Sequence, residues 1–235
     1  MDARPTATTE SPRRSTRDRP AKAPLGEDAI VDAALAVARA DGLPAVTMRR
    51  VAAELDTGAA SLYVYVRNRD ELLRKMLDRV VGGTPLVVPD KKHWRRQIHD
   101  LLDSFRVNLE TYPGLATVLP EEPLATDTAL KSLENLLAIL VVGGIPPQDA
   151  AWACDIMMLI VTATASEADV RKAAGHQFDQ DFVERLRDTF AGMPPEDYPN
   201  VVSHADEMVA GTGADRFHFG IDTFLDGLVA RSKRK

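Results

Sequence analysis

The chain alternates between stretches whose apolar residues recur every three or four positions and short runs of Gly, Pro, Asn and Asp that interrupt them. In EDAIVDAALAVARADG, residues 27–42, Ile30, Ala33, Ala34, Val37 and Ala38 fall on one face and Gly42 closes the segment, which predicts an amphipathic helix. Thr47 is placed to cap a two-turn helix, MRRVAAEL, with Met48, Val51, Ala52 and Leu55 on one face and Arg49 and Arg50 on the other. After Asp56-Thr57-Gly58 comes GAASLYVYV, then Asn68 with Glu71 three residues on, a pattern like a capping box ahead of LLRKMLDRVV. The turn between the two short helices needs a left-handed residue, and Asp56 is of a type that accepts one, though less readily than glycine.

Beyond Gly82-Gly83 and a linker from Pro85 to Pro89 the composition changes, so a domain boundary is placed there. Helices are expected over His93–Leu109 and Asp127–Val142, from Pro146 to about Ala165, over Phe178–Phe190 and over Ala214–Ser232, with a loop at 193–200. No strand pattern competes, and no repeat is visible. The fold class is therefore all-α, organised as an arm (residues 1–24), a small N-terminal domain (25–82) and a larger helical domain (83–235). The most apolar stretches, 136–145 and 156–165, fall short of the roughly 20 residues a bilayer-spanning helix needs and read as core.

Charge changes the picture more by its placement than by its total of −6. Residues 1–26 carry six cations against three acids and almost no large apolar side chain, a composition expected to be disordered. The segment 47–79 carries seven cations against five acids, while 82–235 carries fifteen against twenty-three. A basic front on an acidic body suggests a polyanionic partner on one side only. Two short helices across a tight turn form a helix-turn-helix, whose second helix can enter the DNA major groove while the first crosses the backbone. The single cysteine, Cys154, cannot form an internal disulfide, and no signal-peptide-like apolar segment follows the Arg-rich start, so a cytoplasmic location is expected.

On these residues, VTMRRVAAELDTGAASLYVYVRNRDELL (46–73) resembles the DNA-binding signature of TetR-family transcriptional repressors. The specific part is Leu62-Tyr63-x-Tyr65 followed by Asn68-x-Asp70-Glu71-Leu72-Leu73. HWRRQIHDLLDSFRVNLETYPG (93–114), residues 133–161 and residues 216–230 are similar to the ligand-binding, dimer-forming half of the tetracycline-repressor branch. The sequence departs from the family pattern at Asp56, often glycine, and at Val66, usually aromatic. The resemblance implies a three-helix DNA-binding domain joined by a linking helix to a ligand-binding and dimerisation domain. It places Thr47, Arg49 and Arg50 near phosphate or the groove edge, and Thr57, Gly58, Ala59, Ala60 and Ser61 towards bases. Tyr63 and Tyr65 would face the sugar-phosphate backbone, and Arg69 would bind phosphate. It further implies a homodimer on a palindromic operator, with Gly220, Phe224, Leu225 and Leu228 in a four-helix interface, and release by a small-molecule effector.

Each assignment has a plainer competitor. Tyr63 and Tyr65 also suit packing, Arg49 and Arg50 a solvated face, and the arm an inert tail. Trp94, Phe105, Trp152, Met157, Met158 and Phe178, with Asp155 and Thr162 as orienting polar groups, would line an effector cavity; the same residues at helical spacing suit an ordinary core, and Asp155 a wet face. The interface glycines Gly220 and Gly227 equally suit packing within one chain. His93, His99, His176, His204 and His218 are scattered without metal-ligand spacing, so no metal or other cofactor is assigned. No nucleophile or acid-base pair with an orienting partner is evident, which counts against an enzyme using the C-terminal pocket. A scaffold that uses the helix-turn-helix to bind protein is the other alternative.

Overall fold

A computed structural model describes residues 25–118, 126–173 and 180–234. The arm and Phe178 lie outside these residues. All regular structure among the described residues is helical: α1 (Glu27–Asp41), α2 (Met48–Glu54), α3 (Ala59–Leu62), α4 (Arg69–Gly82), α5 (Trp94–Glu110) and α6 (Asp127–Val142) are followed by α7 (Pro147–Ala173), α8 (Gln180–Ala191), α9 (Pro199–Ser203), α10 (Ala205–Val209) and α11 (Gly213–Ser232). Single 3-10 turns lie at Leu43–Ala45 and Leu115–Thr117.

The N-terminal domain is held by a small core in which Ile30, Ala34, Val51, Leu62, Val66, Leu72 and Met76 are inaccessible to solvent. Its joints are polar. The Thr47 hydroxyl accepts the Arg50 backbone N–H at 3.1 Å and opens α2. Asn68 accepts the Glu71 N–H at 2.8 Å and opens α4. Glu71 does not return the bond to Asn68, as a capping box would; its carboxylate takes the Arg67 backbone N–H at 2.7 Å. Arg79 on α4 clamps Asp28 and Asp32 on α1, and Lys75 reaches Glu27 at 2.9 Å.

In the larger domain α7 is central. Ala150, Ala153, Met157, Val161 and Ala165 make a fully buried stripe, and α7 packs on α5, α6 and α11. The helix is long and apolar enough by composition to cross a bilayer, but that stripe makes it a core helix. It runs past the expected end near Ala165 because Ser166–Ala173 contains good helix formers and a Glu167–Arg171 pair one turn apart. Two short helices, α9 and α10, are also present; the first begins at Pro199, inside the expected 193–200 loop, where the missing proline N–H costs nothing. Thr212 and Asp215 exchange hydrogen bonds in a full capping box that opens α11.

Candidate nucleic-acid interface and effector cavity

The turn between α2 and α3 is a Schellman-type end. Asp56 takes φ +51°, the Asp56 N–H donates to Ala53 and the Thr57 N–H donates to Ala52 at 2.9 Å. This sharp stop lets Gly58 start α3 at a new angle. The helix is a single turn, shorter than the GAASLYVYV pattern suggests, because Leu62 then accepts both Tyr65 and Val66 N–H groups in a tightened turn. Leu62 and Val66 are buried, which anchors both ends of that turn and turns Tyr63 and Tyr65 outward, 53% and 39% exposed. Val66 is a core residue, so the departure from the family's aromatic lies inside the domain rather than on its face.

Around these tyrosines, Thr47, Arg49, Gly58 and Ala60 are exposed, and Thr57, Ala59 and Ser61 are half-buried. Arg49 makes no ion pair or hydrogen bond with the described residues. Arg50 is committed within the domain, to Glu54 at 2.7 Å and Asp41 at 3.3 Å. Arg69 is half-buried, and its Nε and Nη2 donate to the carbonyls of Val46 at 2.7 Å and Leu43 at 3.1 Å. That pins the start of α4 to the segment entering α2. Arg50 and Arg69 are thus braces whose guanidinium groups already have partners; of these only Glu54, one turn from Arg50, is visible in the sequence spacing.

The larger domain contains a cavity of about 550 Å³ between α5, α7 and the start of α11. Ile160, Ala168 and Phe217 supply apolar wall, and Arg106, Glu110, Asp169, Lys172 and Arg216 supply charge. Arg106 lies over the Phe217 ring and is fixed by Asp103 and Glu110, both at 2.7 Å. Asp169 accepts the Gly114 backbone N–H at 2.7 Å; burial raises its carboxyl above the usual range, partly offset by that bond.

None of the described residues anticipated for the pocket lines this cavity. Trp94, Phe105 and Met157 are buried in the core, with the Trp94 ring against Gly143. Met158 packs at the core edge, and the Thr162 hydroxyl bonds back to the Met158 carbonyl at 3.0 Å. Trp152 and Asp155 lie on the outer face of α7. The cavity takes Ile160 from within the anticipated stretch of α7, between the anticipated positions, and its remaining α7 residues, Thr164 to Lys172, lie further along the helix. The interface residues also divide. Leu225 and Leu228 are buried within the chain and Phe224 packs partly on the core, whereas Gly220 has open space before it. The exposed large apolar residues on α7 and α11 are instead Trp152, Ile156, Leu159 and Val170 on α7 and Phe219 on α11.

Comparison with known proteins agrees with this architecture. Residues 30–76 match the family described as bacterial regulatory proteins, tetR family, and residues 88–232 match the tetracyclin repressor-like C-terminal domain. The chain is 32% identical over 227 residues to the HTH-type transcriptional repressor DrrR1 of Streptomyces coeruleorubidus, covering 91% of this chain and 82% of that one. It is similar to ActR, a TetR family protein of Streptomyces coelicolor, in complex with actinorhodin, at 32% identity and a TM-score of 0.80, covering 88% of this chain and 97% of that one. Its likeness to ActR in complex with (S)-DNPA has 31% identity and a TM-score of 0.77, covering 89% of this chain and all of that one. The chain belongs to the TetR family of transcriptional regulators: DNA-binding, effector-responsive proteins rather than enzymes.

Proposed function

We propose that the chain is a cytoplasmic repressor that binds a palindromic operator as a homodimer, through the face bearing Arg49, Tyr63 and Tyr65, and leaves it when an effector fills the cavity beside Phe217. The observation that carries the DNA reading is the pair of outward tyrosines on the same helix-turn-helix as an exposed cation, Arg49, that has no partner among the described residues. Tyrosine hydroxyls and an exposed guanidinium donate to phosphate oxygens and fix register, while Thr57, Ala59, Ala60 and Ser61 would meet base edges. In this reading Arg50 and Arg69 act indirectly, by holding α2 and α4 in place. The division between domains is taken at residues 82 and 83.

Two-fold protein symmetry calls for two-fold operator symmetry, with recognition helices about 34–36 Å apart or a multiple of it. The outer apolar residues Trp152, Ile156 and Leu159, with Phe219, supply the dimer contact, and Gly220 and Gly227 leave room for close approach. ActR is known in complex with actinorhodin and with (S)-DNPA. By likeness, the effector here is a small organic molecule held by both the apolar and the charged walls of the cavity.

Two routes join the larger domain to the DNA-binding domain. One is α4, which meets α6 where Thr126 donates to Asp78 and Gly82 faces Thr128. The other begins at Asp169 in the cavity wall and passes to the Gly114 N–H; the neighbouring Pro113 carbonyl accepts the Leu43 N–H at 3.0 Å, and the Leu43 carbonyl accepts Arg69. An effector acts only through its differential affinity for the DNA-competent and released arrangements. Selection of sites from random duplex DNA, with binding of the winner followed against salt, tests the reading. An enriched palindrome bound less tightly as salt rises supports it, and sequence-blind binding refutes it.

A further inference from the structure

We propose that His99 and His218 form a two-imidazole site for a divalent first-row transition-metal cation at the contact between α5 and α11. The two residues are 119 positions apart in sequence, yet their Nδ1 atoms face each other at 3.2 Å. Nitrogens bound tetrahedrally to one zinc ion at 2.0–2.1 Å lie about 3.3–3.4 Å apart. The ring planes are tilted by 42°, which lets the two lone pairs converge instead of stacking the rings.

The remote nitrogens complete the pattern. His99 Nε2 lies 2.8 Å from an Asp222 carboxylate oxygen, which holds the proton on Nε2 and leaves Nδ1 as a lone pair. His218 Nε2 faces Asp103 Oδ1 at 3.9 Å, and that carboxylate is fixed by Arg106 Nε and Nη2 at 3.0 and 2.7 Å. A carboxylate behind each imidazole is the arrangement that orients and strengthens metal-bound histidine. A direct N–H···N bond between two neutral imidazoles satisfies the pair less well. If neutral His218 donates from Nδ1, its bare Nε2 lone pair faces the Asp103 carboxylate. A bound cation takes both Nδ1 lone pairs and keeps an N–H towards both carboxylates.

The Phe217 ring meets His218 edge-on and forms an apolar wall, while side-chain exposures of 19% for His99 and 42% for His218 leave an entry path. Among the described residues no three ligating side chains converge, so water or another small ligand occupies the remaining coordination positions. Two imidazoles favour copper(II), then nickel(II), over softer-sphere or purely oxygen-seeking ions. Because Arg106 and Phe217 also line the cavity, the cation would stiffen one of its walls.

The test uses the untagged full-length chain, stripped with chelator and titrated with copper(II), then separately with nickel(II) and zinc(II). Calorimetry should give one copper per chain, and electron paramagnetic resonance should show two coordinated imidazole nitrogens. His99→Ala and His218→Ala should each weaken binding at least tenfold, as should Asp222→Asn, which keeps both imidazoles, whereas the exposed His204→Ala should not. Circular dichroism of each variant verifies folding. Copper binding that persists in the double variant, or wild-type binding without an imidazole signature, overturns the proposal. Neither result bears on operator binding, so this site and the DNA reading fail separately.

Discussion

Replacing Gly114 by alanine should loosen the joint between the two domains. Gly114 sits at φ +89°, where an L-residue pays about 1–2 kcal/mol, and an added Cβ would lie 2.9 Å from the Leu43 Cβ. That neighbour is fixed to its own backbone and cannot rotate away, so relief requires moving Leu43, an overpacking cost of about 1–3 kcal/mol. The combined loss of about 2–5 kcal/mol would lower the thermal midpoint of a chain of this size by roughly 5–15 °C. Gly144→Ala is the internal control: its φ is +87° but its Cβ would meet nothing within 4 Å, so it carries the strain without the contact. Scanning calorimetry and operator titration of the two variants should therefore show a larger drop for Gly114→Ala, with operator affinity altered in that variant alone. Equal drops, or unchanged operator binding in Gly114→Ala, would refute the claim that the Gly114–Leu43 contact sets domain orientation.

Thr47→Ala removes the cap of α2 and should cost about 1 kcal/mol in urea denaturation. Tyr65→Phe should weaken operator binding by about 1.5–3 kcal/mol, roughly tenfold to a hundredfold, without lowering the thermal midpoint. Glu71 is held below its usual pKa first by the Arg67 backbone N–H, so its contribution is complete above about pH 4.5, its unfolded value, and is lost as pH falls through the folded value; Glu71→Gln should flatten that part of a stability profile taken from pH 6 to pH 3. Burial pushes the Cys154 thiol up to about 11, and a thiol reagent at pH 8 should label it only as the protein unfolds.

Apolar periodicity and caps were enough to locate the main helices, because those signals are local. Thr47, Asp56 and Asn68 each do what their residue type suggests at that position. What sequence could not supply is rotation and distance. Whether Trp152 or Ile160 faces a cavity depends on how α7 turns against α5 and α11, and an apolar stripe around a central helix does not say which neighbour covers it. The same limit hid the more distant partner of Arg50 and both partners of Arg69: Asp41 and the Leu43 and Val46 carbonyls come from preceding segments brought close by the fold. His99 and His218 meet only because α5 and α11 pack together.

The joint between the domains has a composition suited to control. Besides apolar packing around Leu43 and Leu115, it is bridged by single polar contacts, Leu43 N–H to the Pro113 carbonyl, Thr126 to Asp78 and Arg39 to the Tyr112 hydroxyl at 2.9 Å. A net hydrogen bond contributes about 0.5–1.5 kcal/mol, so the three together hold one orientation by about 1.5–4.5 kcal/mol. Driving a two-state equilibrium from 1:99 to 99:1 takes about 5.5 kcal/mol of differential affinity. The two magnitudes are comparable, so an effector need gain only a few contacts in the released arrangement to overcome the joint. Asp169 lines the cavity and accepts the N–H of Gly114, the neighbour of Pro113 at the joint, so it stands between the cavity and that contact.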